Sequence, residues 1–132
     1  YNKKSIDYQT HVEWFNKKVG DIQCHFFILE YENIPIGQIR FEEIDGPIHS
    51  FMISYMLDKE WRGMGLGDII LKKGIEVMNK KIRNNKKIIG YVIKNNIPSI
   101  KAFEKAAFKK EEANNVKYPN SYKFEILIYE HE

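Results

Sequence analysis

One cysteine, Cys24, stands in the whole chain. No intrachain disulfide can form, which excludes a small secreted scaffold stapled by bridges and points to a cytosolic compartment. Set between Gln23 and His25 in a strand-like run, that thiol reads as a small core residue. No apolar run approaches the ~18 residues that a membrane helix requires, and no signal peptide is visible, so a cytoplasmic protein with no membrane partner is expected. An excess of one charge is lacking too. The 21 basic residues against 18 acidic ones leave a net charge of +3, too little for a dedicated nucleic-acid binder. Only residues 72–87 are one-sided, with Lys72, Lys73, Lys80, Lys81, Arg83, Lys86 and Lys87 facing Glu76. Without interleaved aromatics, that cluster reads as the solvated face of a helix and its exit loop, an anionic ligand tail being the alternative. Repeats and low-complexity linkers are missing as well, so the 132 residues read as one domain.

What the chain has in quantity is aromatics, with eight Tyr, eight Phe and two Trp, which indicate a sheet-rich core. Residues 5–19, SIDYQTHVEWFNKKV, place Ile6, Val12, Trp14 or Phe15 and Val19 at mixed spacing, and predict an amphipathic helix ending at Gly20. CHFFILEYEN and IPIGQIRFEEI follow as strands joined by a hairpin at Glu32 to Pro35, and FMISYML is a third strand. Leu71, Ile75, Met78 and Ile82 then mark one face of a helix. KIIGYVI is a fourth strand, NNIPSIKAFEKAAF a helix with Pro98 in its first turn, residues 109–113 a short strand, and YKFEILIYE the last. The expected fold class is mixed α/β with a largely antiparallel sheet.

Between the third strand and the first of these later helices, WRGMGLGDIIL holds Gly63, Gly65 and Gly67 within five positions. A glycine turn at a helix N-terminus is a site for phosphate: first-turn amides point outward, the dipole adds positive charge, and glycine admits close approach and positive φ. Two phosphate loops are excluded. GxxxxGK[ST] is absent, and GxGxxG fails at Asp68. What remains is RxxGxG from Arg62, with a tight turn that binds nothing as the alternative.

LDKEWRGMGLGDIIL resembles the acetyl-coenzyme-A segment of the GCN5-related N-acetyltransferases, an apolar strand followed by [QR]xxGx[GA] and a helix; NNIPSIKAFEKAAF is similar to that family's later NxxAxxxYEKxGF. The two motifs stand in order about thirty residues apart, and the resemblance covers most of residues 20–130. It implies a twisted sheet with flanking helices, splayed between the third and fourth strands of the list above. It implies acetyl-coenzyme A as cosubstrate, without a metal. Tyr55, Leu57, Arg62, Gly63, Met64, Gly65, Gly67, Asn96, Ser99 and Phe103 would line the coenzyme. The family's fold begins with a strand and helix ahead of this chain, and the first residue is Tyr, so a fragment of a longer protein is expected.

The chain departs from the family pattern where the chemistry is done. Phe103 replaces the tyrosine often assigned as acid to the coenzyme sulfur, and Ala107 replaces a glycine. Water, Tyr91 or Tyr122 are left as acids, or activity is lost. For a base, His49, Glu42, Glu43 and Asp45 stand near the third strand. The segment HVEWF resembles the openings of family members that acetylate amino-sugar nucleotides, including the acetyltransferase of pseudaminic acid synthesis, and of ribosomal-protein acetyltransferases. The resemblance therefore implies transfer to a small-molecule amine, with a nucleotide-linked amino deoxysugar first. A protein N-terminus or lysine is the alternative acceptor, and a non-catalytic coenzyme-binding domain the alternative class. A homodimer is left open.

Overall fold

The computed structural model describes residues 12–19, 22–46 and 48–129. Among them run β1 (Val12–Val19), β2 (Ile22–Tyr31), β3 (Ile34–Ile44), β4 (His49–Leu57), α1 (Gly67–Lys81), β5 (Lys86–Ile93), α2 (Ile97–Lys105), β6 (Lys109–Ala113) and β7 (Ser121–Ile128). The strands form one sheet in the order β1-β2-β3-β4-β5-β7-β6. Every neighbouring pair is antiparallel except β4 and β5, which run parallel across α1. The sheet is thus mixed and largely antiparallel, as expected.

The predicted helix over residues 5–19 is overturned. Residues 12–19 are strand β1, and residues 5–11 lie outside the described ones. Val19 pairs with Ile22 and Val12 with Leu29, so β1 runs back along β2 as far as Leu29 with only residues 20 and 21 between the two. An eight-residue ladder satisfies the backbone of a segment whose apolar spacing fits neither period cleanly. The hairpin at the end of β2 is where the sequence put it. Glu32 and Asn33 take φ of 50° and 67°, the paired left-handed conformation that matches the twist of flanking strands.

Alternation sorts the sheet into two faces. Phe27, Ile39, Phe41, Phe51, Ile53, Ile88 and Phe124 are buried on the face toward the helices. On α1, Leu71 and Met78 are fully buried and Ile75 and Ile82 half-buried, which is the predicted stripe. Gly74 brings this helix down onto β3: a Cβ there would stand 2.6 Å from Ile39 Cδ1. α2 covers β5 and β7 on the same side through Phe103, whose ring lies 5.0 Å from Phe124. Cys24 is buried and free, the core residue expected of it.

The parallel pair is short. Bonding runs from His49↔Lys86 to Met52↔Ile89 and stops. Beyond it β4 continues with β3 through Leu57, and β5 with β7 through Ile93. The two strands therefore diverge, leaving residues 53–57 and 90–93 without each other as partners. This is the predicted splay, now between the fourth and fifth strands because β1 adds one ahead of them.

Candidate active site

The splay opens beside the glycine turn. After β4, a single 3-10 turn at Lys59–Trp61 buries Trp61, whose ring meets Tyr31 edge-on at 6.0 Å. Trp61 anchors the chain just before the glycines. Arg62 then turns back, its Nε donating to the Leu57 carbonyl at 2.9 Å, so the arginine of the motif straps the turn to the end of β4. Gly63 and Gly65 take φ of 75° and 71°, values that cost a side chain roughly 1–2 kcal/mol. Leu66 opens α1 with no side-chain cap, so the first-turn amides and the positive end of the helix dipole are directed to the cleft.

Two adjoining cavities occupy the opening. One, of about 360 Å³, is lined by Gly63, Gly65, Leu66, Gly67 and Asp68 from the turn and by Pro98, Lys101, Ala102 and Lys105 from α2. The other, of about 400 Å³, reaches along β4 past Tyr55, Met56 and Leu57 to Arg62, Asn96 and Ser99. Tyr55, Leu57, Gly63 and Pro98 belong to both. The outer end carries Lys101 and Lys105 on a largely apolar lining, and the inner end is a slot beside exposed strand backbone. Asn96 caps α2, its side chain accepting from the Ser99 amide at 3.3 Å. Tyr55 Oη lies 3.2 Å from Ser99 Oγ. Burial raises the Tyr55 phenol above its usual range, opposed by the Ser99 bond, with the Asp68 carboxylate adding to the rise.

Of the residues picked from sequence for the coenzyme, eight meet at this cleft: Tyr55, Leu57, Arg62, Gly63, Gly65, Gly67, Asn96 and Ser99. Two stand back from it. Met64 packs against the core margin, and Phe103 is buried behind the slot between Phe108 and Phe124. The picks for acid and base lie elsewhere. His49 begins β4 at its bonded end, its Nε2 3.2 Å from Asn84 Nδ2, and Glu43 is exposed opposite Phe51 near that same end. Tyr91 is on β5 past the last bonded pair, on the face away from the helices, stacked on Tyr118 at 3.8 Å. Tyr122 lies under Lys94 and Lys110. Sequence reasoning missed Leu66, Asp68, Met56, Lys101, Ala102 and Lys105. Pro98, Lys101, Ala102 and Lys105 follow i, i+3, i+4, i+7, a helical face that could have been aimed at the glycine turn.

The model of the acetyltransferase (GNAT) family matches residues 2–108. The chain belongs to the acetyltransferase (GNAT) family. Solved structures share its fold. One is the N-acetyltransferase PseH of Campylobacter jejuni, solved in one instance in complex with acetyl coenzyme A, at 18% identity and a TM-score of 0.63 over 78% of this chain and 67% of that one. Another is the ribosomal-protein-S5-alanine acetyltransferase of Vibrio fischeri, at 24% identity and a TM-score of 0.67 over 79% and 61%. A third is the spermidine N-acetyltransferase of Vibrio cholerae with CoA and spermine, at 19% identity and a TM-score of 0.66 over 79% and 65%. The chain therefore spans 61 to 67% of the length of these structures. No curated protein sequence matches it.

The family is one of acetyl-coenzyme-A-dependent N-acetyltransferases, and the cleft fits that cosubstrate part by part. A GNAT chain must hold a pyrophosphate and an extended amide-bearing arm. Here uncapped amides and two lysines face the outer cavity, and strand backbone faces the inner one. Among the described residues no group of three or more His, Cys, Asp or Glu side chains stands together to hold a metal ion, and no helix is long and apolar enough to cross a membrane.

Proposed function

We propose that this chain transfers an acetyl group from acetyl-coenzyme A to a primary amine, the acceptor being the amino group of a nucleotide-linked amino deoxysugar. The observation that carries the transfer is the meeting of an uncapped helix N-terminus, at a glycine turn, with a slot between diverging parallel strands. The pyrophosphate rests on amides of residues 63–67, with Lys101 and Lys105 supplying charge on the opposite wall. The arm lies along residues 53–57 of β4. A main-chain amide there polarises the thioester carbonyl while the amine attacks from the other side of the sheet.

The acceptor reading is supported by that other side. Past the last bonded pair, the side chains alternating away from the helices are Ser54 and Met56 on β4 and Tyr91 and Ile93 on β5. Arg40 neighbours Ser54 and Lys123 neighbours Tyr91. The Tyr91 and Tyr118 rings are parallel to within 2°. Lys123 faces Glu111 across β6 and β7, so the cation offered here is Arg40, which with the stacked aromatic pair suits an anionic acceptor bearing a planar ring.

Calorimetric titration with acetyl-coenzyme A tests the first half, and an acceptor screen the second. Micromolar binding followed by turnover with amino-sugar nucleotides is expected. No binding overturns the reading. Turnover confined to spermidine or to peptide N-termini reassigns the acceptor, and binding without turnover returns the chain to a non-catalytic coenzyme-binding role.

A further inference from the structure

We propose that Phe103 and Ile53 form the wall that limits the transferred acyl group to two carbons, an assignment that rests on the acetyl-transfer reading above. From its inner phosphate oxygen to its sulfur the coenzyme arm runs through about twelve bonds, the length of four backbone residues, or about 14 Å fully extended. Arg62 bonds the Leu57 carbonyl at 2.9 Å, so the glycine turn that takes the phosphates is level with Leu57. Four residues back along β4 stands Ile53. An arm laid from the turn along β4 therefore carries its sulfur no deeper than Ile53, and the acyl group on that sulfur is the part of the cosubstrate that faces the narrow end of the wedge.

That end is closed. The last bonded pair, Met52↔Ile89, stands one residue before Ile53 and Gly90. On the helix side, a Cβ built on Gly90 would lie 2.7 Å from Phe103 Cζ and 3.1 Å from Ile53 Cγ2. The tip of the Phe103 ring thus rests on bare β5 backbone, and Ile53 meets it from β4. Both side chains are 3% exposed. The ring has no room to tilt aside, because Phe124 is stacked on it at 5.0 Å and Phe108 meets it edge-on at 4.9 Å. Neither cavity of the cleft is lined by Ile53, Gly90 or Phe103, so no open volume continues past Tyr55 to receive a longer chain. An acetyl group ends at this wall. Each further methylene has to displace a side chain that is packed on every side.

Calorimetric titration with coenzyme A and with its acetyl, propionyl and butyryl thioesters tests the wall. Each thioester's dissociation constant is taken relative to that of coenzyme A on the same protein, so a general loss of coenzyme affinity cancels. In the unsubstituted protein the propionyl thioester should bind about tenfold more weakly than the acetyl one, and the butyryl thioester more weakly still. Phe103→Leu withdraws the ring tip, and Ile53→Ala removes the opposing methyl groups. Either should bring the propionyl thioester to within about threefold of the acetyl one, which a merely structural role in the core would not do. Equal binding of all three thioesters by the unsubstituted protein overturns the size limit alone, with no variant needed. Full discrimination retained in both variants overturns the assignment to these residues. Failure of the unsubstituted protein to bind coenzyme A overturns the transfer reading, and this one with it.

Discussion

Gly67→Ala places one methyl group where the structure leaves no room. Its Cβ would lie 2.8 Å from Ala102 Cβ and 2.8 Å from Tyr55 Oη, against a carbon–carbon optimum of about 3.5–4.0 Å. Neither neighbour yields cheaply. Ala102 Cβ is fixed to the backbone of α2, and Tyr55 is tied to Ser99. The start of α1 must therefore move away from α2 by about an ångström, an overpacking cost of about 1–3 kcal/mol, of which alanine's better helix propensity returns at most about 1 kcal/mol. A net loss of about 1–2 kcal/mol lowers the melting temperature by about 3–10 °C in a domain of this size. The same movement displaces the amides from the slot, so acetyl-coenzyme A should bind at least tenfold more weakly by calorimetry. Gly63→Ala is the matched control. Nothing lies within 4 Å of its Cβ, so only the strain of a positive φ remains, about 1–2 kcal/mol. A Gly67→Ala protein that melts at or above the parent temperature and binds the coenzyme as well would refute the packing of α1 on α2.

Phe103→Tyr, which reverts the chain to the family residue, should cost about 1–3 kcal/mol in urea denaturation, because the new hydroxyl enters a site enclosed by Phe108, Phe124 and Gly90. An equally stable variant would show that a partner awaits it there. Asn96→Ala removes the cap bond to the Ser99 amide and should cost about 1 kcal/mol; because Ser99 holds Tyr55, the tyrosine's absorbance titration should shift as well. His25 is 5% exposed, and burial lowers its pKa against the opposing pull of Glu43. The unfolded chain takes up this proton first, so the stability contribution is complete above about pH 6.5 and is lost as pH falls through the folded value. Denaturation midpoints at pH 7.5 and 5.5 should differ less in His25→Leu than in the parent, and equal differences would remove His25 from the account.

The cleft was legible because its elements are local. A strand, a glycine turn and a helix start follow one another between residues 51 and 71, and the second motif carries its own cap and proline, so neighbours in sequence became neighbours in the site. What escaped reading depends on distant pairing. Residues 12–19 are a strand because β2 offers a ladder, and β7 slips between β5 and β6 although it comes last. Two of the acid and base picks, His49 and Glu43, stand away from the cleft for the same reason. His49 and Glu43 are close to the slot in sequence, but β4 carries the chain several residues along the sheet before the strands part. Lys86 shows the limit of reading charge by composition. It belongs to the run taken as a solvated face, yet it is 2% exposed, with its Nζ donating to Asn79 Oδ1 at 2.9 Å and to the Asn84 carbonyl at 3.0 Å.

A sheet whose fourth and fifth strands separate after four bonded pairs has an edge in its middle. Outer edges invite pairing with other chains, and β6 meets that hazard with the charges of Lys109, Lys110, Glu111 and Glu112. The inner edge is protected by its outline. A polypeptide strand inserted between two others needs about 4.8 Å on each side along its length, and a wedge that narrows to a bonded pair offers that width only at its mouth. A chain with widely spaced amides and no branches toward its thiol end can go further in than a peptide strand. The shape proposed to take the coenzyme arm is therefore also what keeps a second copy of this sheet from adding itself there.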